Sequence, residues 1–209
     1  MMEREGVRAL VVLALAVAVP AAAQQPQDIL DRAVAHFEAG RIAESNAEFD
    51  RLVKADPAAM PYLWQRGIAL YYAGRYADCR QQFERHRTVN PDDVENAAWH
   101  FLCVARAESP ARARAALLPV GPDARVPMRQ VYELFRGATG PEDVLRAAGA
   151  QPSGQFYAQL YLGLYFEALG NGARALEHIK TAAADRYASA GGYMHMVARV
   201  HLGLLQRRP

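Results

Sequence analysis

Apolar side chains recur along the chain at the spacing of one helix face. Trp64, Ile68 and Tyr71 stand at positions i, i+4 and i+7, and Val131 and Phe135 repeat the four-residue step further on. The chain is rich in Ala, Leu and Arg, which favour helices, and has few runs of β-branched residues. The pattern therefore predicts an all-α protein.

A second pattern repeats every 34 residues. Gly40 and Gly74 occupy matching positions, and the small residues Ala33 and Gly67 fall on the same offset. We expect pairs of antiparallel helices in which the glycines turn the chain through a positive φ and the small residues let the helices approach closely. Phenylalanines would fill the core and prolines would end the second helix of each pair. The further matching pairs are Ala35 with Ala69, Arg41 with Arg75, Phe49 with Phe83, Arg51 with Arg85, and Pro57 with Pro91.

This arrangement resembles the tetratricopeptide repeat (TPR). The resemblance implies a TPR-like α-solenoid of helical hairpins, closed by a C-terminal capping helix because a terminal repeat otherwise exposes an apolar face. Ser109 followed by Pro110 is typical of a helix start within the third repeat. The expected boundaries are repeats at about 26–59, 60–93 and 94–118, a helical insert at 127–149, a repeat-like hairpin at 154–187 and the capping helix at 189–206.

The first residues are typical of an export signal. Arg4 and Arg8 precede an unbroken apolar run over residues 9–19, and Pro20 and three alanines follow it. A run of 11 residues is too short to cross a membrane comfortably, which favours a cleavable signal peptide over residues 1–23 rather than an uncleaved anchor. We therefore expect a mature helical domain over residues 24–209 that is periplasmic or secreted and does not insert into a membrane.

The charge balance favours protein partners. The formal net charge is +2, and it does not change when residues 1–23 are removed. Nucleic acids and anionic membranes are bound through a concentrated basic field, which this composition does not supply. Cys79 and Cys103 would meet an oxidising compartment after export, where one disulfide between consecutive helices and two buried thiols are both compatible with the sequence.

Three stretches are similar to the later half of the NlpI-type TPR lipoproteins: RGIALYYAGRYADC, NPDDVENAAWHFL and FYAQLYLGLYFEALGNGARALEHIKTAAADRY. The similarity covers roughly residues 57–206, and its most specific part is the string RGIALYY at 66–72. Members of that family are periplasmic adaptors of envelope quality control, which bring a processing protease together with peptidoglycan hydrolases. This chain lacks their lipid-acceptor cysteine and has little sequence before its first repeat, where family members dimerise, so a homodimer is left open.

The TPR resemblance also implies a concave groove lined by the first helix of each repeat. Trp and Tyr are favoured anchors for binding, so this aromatic stripe is a candidate site for an extended or helical partner segment. The alternative is internal packing, in which the chain's own C-terminal helices cover the stripe. The residues counted onto the groove are Leu30, Val34, Phe37, Trp64, Ile68, Tyr71, Tyr72, Leu102 and Arg106.

The sequence predicts no catalytic residues, no metal site and no cofactor. His195 and His201 share the last helix, but six residues of helix place them on opposite faces. Cys103 and His100 stand at i and i−3 and would be a Cys-His pair, but no residue nearby supplies an orienting third group. The sequence is therefore interpreted as that of a non-catalytic adaptor or scaffold of the bacterial cell envelope. The alternative is a structural subunit that associates with itself or with a larger envelope assembly.

Overall fold

A computed structural model describes residues 25–207 of the chain, and the predicted signal peptide at 1–23 lies outside them. The described residues form helices and turns without a strand, which confirms the all-α prediction. Short 3₁₀ helices lie at Pro57–Tyr62 and Asp185–Tyr187. The α-helices are α1 (Pro26–Glu38), α2 (Ile42–Ala55), α3 (Trp64–Tyr72), α4 (Tyr76–His86), α5 (Val94–Ala107), α6 (Pro110–Ala115), α7 (Met128–Arg136), α8 (Pro141–Ala148), α9 (Pro152–Ala168), α10 (Gly172–Ala182) and α11 (Ala188–Gln206).

Glycine turns connect the two helices of each hairpin. Gly40 and Gly74 have φ of 70° and 73°, as the 34-residue pattern predicts, and Gly170 between α9 and α10 has φ of 78°. Residues with a side chain rarely adopt this conformation. At each turn the residue after the glycine donates its backbone N–H to a carbonyl five residues earlier, so the last turn of the first helix keeps its hydrogen bonds.

The hairpins pack closely because small residues face large ones. A Cβ added to Gly67 in α3 would stand 2.6 Å from Cζ of Phe83 in α4, and a Cβ added to Gly163 in α9 would stand 2.6 Å from Cδ1 of Ile179 in α10. Both distances are well inside van der Waals contact. Ser109 caps α6 as predicted, since its hydroxyl accepts a hydrogen bond from the backbone N–H of Arg112.

The second half of the chain is organised around α9. Its side chains are buried on nearly all faces, because α5, α7, α8, α10 and α11 all pack against it. Phe101 of α5 meets Phe135 of α7 with ring centroids 5.0 Å apart, and Phe135 also contacts Tyr161 and Tyr165 of α9. The two helices of the insert therefore belong to the same core as the hairpins.

Helix α11 returns to the start of the chain. It bends at Gly192, whose backbone has φ of 51° and ψ of −128°, a break that the sequence interpretation did not include. Directly after the bend, Tyr193 packs against Phe37 of α1 and against Trp64 of α3, with centroid distances of 6.5 and 4.8 Å. The capping helix thus covers the first two hairpins as well as the last.

A disulfide joins Cys79 of α4 to Cys103 of α5, and both residues are fully buried. The sequence left open whether these two cysteines form a disulfide or stay as buried thiols, and the structure has the disulfide. It also removes Cys103 as a nucleophile, since the sulfur that a Cys-His pair with His100 would need is bonded to Cys79. In residues 25–207, no helix combines the length and the apolar character that crossing a membrane requires.

Candidate functional site

The predicted groove residues fall into three environments. Phe37, Ile68, Tyr71 and Leu102 are buried in the core. Leu30, Val34, Trp64 and Tyr72 are partly buried, and Arg106 is exposed. Because Tyr193 of α11 covers Phe37 and meets Trp64, the stripe packs largely against the chain's own last helix. Within this set, only Trp64 and Ile68 line the cavity described below.

The far end of the stripe belongs to a buried polar cluster. His201 of α11 shares a hydrogen bond of 2.9 Å between its Nδ1 and the hydroxyl of Tyr72. Its Nε2 lies 3.2 Å from a carboxylate oxygen of Glu167 in α9, and Arg106 approaches the other oxygen at 3.6 Å. Arg106 also lies over the ring of Tyr76 at 5.7 Å. Tyr72 thus ties α3 to the closing helix, and Arg106 ties α5 to α9.

A cavity of about 240 Å³ opens beside the covered stripe. It lies between α3, α4, α5, the connector that precedes α7, and α11. Its apolar walls are Trp64, Ile68, Phe83, Trp99 and Met194, and its polar lining consists of His86, Asn90, Asp93, Glu95, Asn96 and Arg125. We call this site the acidic cavity, because of the carboxylates described next.

Three carboxylates of the acidic cavity and its rim surround one guanidinium. Arg125 donates to Asp93 and Glu95 at 2.5 Å each, and to Asp123 at 2.6 Å. Within residues 25–207 these carboxylates form ion pairs with no other cation, so three acidic groups share one guanidinium. Asp93 and Glu95 line the cavity, whereas Asp123 lies outside its lining. Arg125 also faces the ring of Tyr157 at 5.9 Å.

The pKa directions around this cluster reflect burial first and the neighbouring negative charges second. Burial and then the charge of Asp93 raise the pKa of Glu95, although Arg125 and a hydrogen bond from Tyr161 oppose the rise. Burial and then Glu95 raise the pKa of Tyr157 to about 12. Burial and Glu95 likewise raise the pKa of Tyr161, so its hydroxyl stays protonated and donates to Glu95 at 2.5 Å.

Two residues that line the acidic cavity carry buried polar atoms without partners. Asn96 and Trp99 are only 4% and 1% exposed, and both line the cavity from α5. The side-chain oxygen of Asn96 accepts no hydrogen bond, and the indole N–H of Trp99 donates none, within the described part of the chain. Buried polar groups are almost always paired, and an unpaired one is destabilising. Both atoms are closed to solvent, so neither forms part of the accessible surface of the cavity.

Three exposed apolar side chains lie close in sequence to residues that line the acidic cavity. Tyr62, Val89 and Val126 are 65%, 38% and 53% exposed. Tyr62 is two residues from Trp64, Val89 precedes Asn90, and Val126 follows Arg125. Exposed apolar residues in the segments that form a polar cavity are typical of a surface that binds another molecule.

The sequence interpretation did not single out most of the acidic cavity. Asp93 was read only as part of a family-like stretch, although its side chain also caps α5 by accepting from the N–H of Glu95. Arg125 lies between the predicted third repeat, which ends at 118, and the predicted insert, which begins at 127, and no function was predicted for it. Nothing in its spacing shows that Arg125 reaches residues 30 and 32 positions earlier in the chain.

The histidines of the described structure form separate hydrogen bonds with different partners. His195 lies 3.1 Å from the carbonyl of Ala184, and His178 lies 2.7 Å from Gln159. His86 donates from Nδ1 to the carbonyl of Pro61 at 2.8 Å. In residues 25–207, no three His, Cys, Asp or Glu side chains are grouped so as to hold a metal ion.

No protein-family model matches this chain, and the comparison with curated proteins found no match either. The resemblance to TPR proteins and to the NlpI-type family therefore stays a prediction from the sequence.

Proposed function

We propose that this protein is a non-catalytic adaptor of the bacterial cell envelope that binds an extended segment of a partner protein at the acidic cavity. The helical hairpins would be a TPR-like solenoid whose last helix closes against its first hairpin. The observation that carries the proposal is a partly open cavity with two tryptophan walls and an acidic lining, with exposed apolar residues in the same segments.

We assign the partner site to the acidic cavity because α11 covers part of the aromatic stripe. In an open solenoid the inner helices would offer a continuous groove, but here Tyr193 and His201 of α11 occupy that face. Trp64 is the groove residue whose ring reaches both α11 and the cavity. A partner segment would therefore anchor at the acidic cavity and lie across the neighbouring apolar residues.

The envelope location rests on two features. The first residues are typical of a cleavable export signal. The buried disulfide between Cys79 and Cys103 is of the kind that persists in oxidising compartments such as the periplasm. By resemblance, the expected partners are an envelope protease and peptidoglycan hydrolases.

Replacing Trp64 by Ala should weaken partner binding at least tenfold, because buried aromatic anchors carry most of the energy of an interface. The test displays segments of the organism's own exported proteins, selects those that bind residues 24–209, and measures their affinities by fluorescence anisotropy. Leu169→Ala is the matched control, since Leu169 is a 41% exposed apolar residue at the C-terminal end of α9 and does not line the cavity.

Thermal unfolding of both variants checks that they fold. The proposal is supported if Trp64→Ala loses the selected segments and Leu169→Ala keeps them. It is contradicted if both variants bind equally. It is also contradicted if no segment is selected and light scattering shows that the chain only assembles with itself, as the structural-subunit alternative expects.

A further inference from the structure

The acidic cavity is short of positive charge. Asp93, Glu95 and Asp123 share the single guanidinium of Arg125, as the ion pairs within residues 25–207 show. Arg125 demonstrates that these carboxylates accept a planar cation, since it bonds to all three at once. The two carboxylates that line the cavity, Asp93 and Glu95, outnumber its one guanidinium, and in a partly enclosed site the field of a carboxylate is screened less than on an open surface.

The walls of the cavity suit the same kind of group. Trp64 and Trp99 both line it, and tryptophan is the aromatic side chain that attracts cations most strongly.

We infer that the acidic cavity holds a positively charged side chain, Lys or Arg, of a partner's extended segment. This inference rests on the proposed function and adds the chemical class of the residue that is recognised. The volume fits one side chain, since a cavity of about 150 Å³ accommodates benzene and this one measures about 240 Å³.

The test uses three peptides of nine residues, blocked at both ends and identical except at the centre, which is Lys, norleucine or Glu. The flanking residues are small and apolar. The chain contains two tryptophans, both lining the cavity, so their fluorescence reports binding at this site. The Lys peptide should bind about tenfold more tightly than the norleucine peptide, and the difference should shrink as salt is added.

Asp93→Asn removes one charge and keeps the cap of α5, since Asn is as good an N-cap as Asp. It should weaken binding of the Lys peptide about tenfold and change binding of the norleucine peptide little. Asp143→Asn is the matched control. Asp143 is likewise an acid at a helix N-terminus with an Arg partner, Arg146, but it does not line the cavity.

The outcomes separate this inference from the proposed function. If the norleucine peptide binds as tightly as the Lys peptide, the cavity recognises apolar side chains, so peptide binding stands and the charge preference is wrong. Tightest binding of the Glu peptide would make Arg125 the anchor and would also overturn the inference. If none of the three peptides changes the fluorescence, both the inference and peptide binding at this cavity fail.

Discussion

Replacing Tyr193 by Ala should lower the free energy of unfolding by about 3 kcal/mol. Tyr193 follows the bend in α11 and packs between Phe37 of α1 and Trp64 of α3, so its ring joins the end of the chain to its beginning. Loss of a packed aromatic ring removes the buried area and leaves a cavity that the neighbouring rings only partly fill. Trp64 should also become more exposed, because its edge-on partner is gone.

Tyr193→Phe is the matched variant. The hydroxyl of Tyr193 is buried and has no partner in the described residues, so removing it should leave the stability unchanged or raise it slightly. Urea unfolding of the wild type and both variants measures the effect. A loss below 1 kcal/mol for Tyr193→Ala, with unchanged tryptophan emission, would show that α11 does not cover the first hairpins.

Removing the disulfide should cost a similar amount, about 3 kcal/mol. Cys79 and Cys103 are 24 residues apart in sequence, and linking them restricts the unfolded chain more than the folded one. The double variant Cys79→Ala, Cys103→Ala keeps small apolar side chains at two fully buried positions. Its main effect is therefore loss of the covalent link between α4 and α5.

The measurement is urea unfolding with and without a reductant. The wild type should lose about as much stability in reductant as the double variant loses without it, and the variant should not respond to reductant. Equal stability of the wild type and the variant under oxidising conditions would show that the disulfide does not stabilise the fold. Since α4 and α5 both contribute to the acidic cavity, peptide binding by the double variant should weaken as well.

The hairpins were predictable because their signals are local. Gly40 and Gly74 have the positive φ that the repeat predicts, and Gly67 lies against Phe83 as a small residue facing a large one. Ser109 caps its helix as its sequence context indicates. In each case the residues that interact are close in sequence, so spacing alone identifies them.

The packing of α11 against the first two hairpins was not predictable in the same way. Apolar periodicity identifies the face of α3 that is buried but not the element that covers it. Tyr72 bonds to His201 across 129 positions of the chain, and no repeat links the two residues. The bend at Gly192 adds to the difficulty, because a glycine inside a helical pattern is compatible with a straight helix.

The acidic cavity likewise depends on contacts between residues that are far apart in sequence. Asp93 and Glu95 open α5, where acids are common for local reasons, since they cap the helix and complement its dipole. Their second role appears only when the connector places Arg125 beside them. Sequence spacing predicted Trp64 as a binding residue, but it did not predict that Trp64, Asp93 and Glu95 line one cavity.

The most direct test of the account measures how caesium and iodide ions quench tryptophan fluorescence in the free protein. In the variant Trp99→Phe, Trp64 is the sole tryptophan and reports the mouth of the acidic cavity. Each ion's quenching is expressed relative to its quenching of free N-acetyltryptophanamide. An open cavity with surplus negative charge should attract caesium and repel iodide, so on this relative scale caesium should quench Trp64 more steeply, and high salt should reduce the difference. Equal quenching by both ions, or no quenching by either, would contradict an open acidic cavity at Trp64.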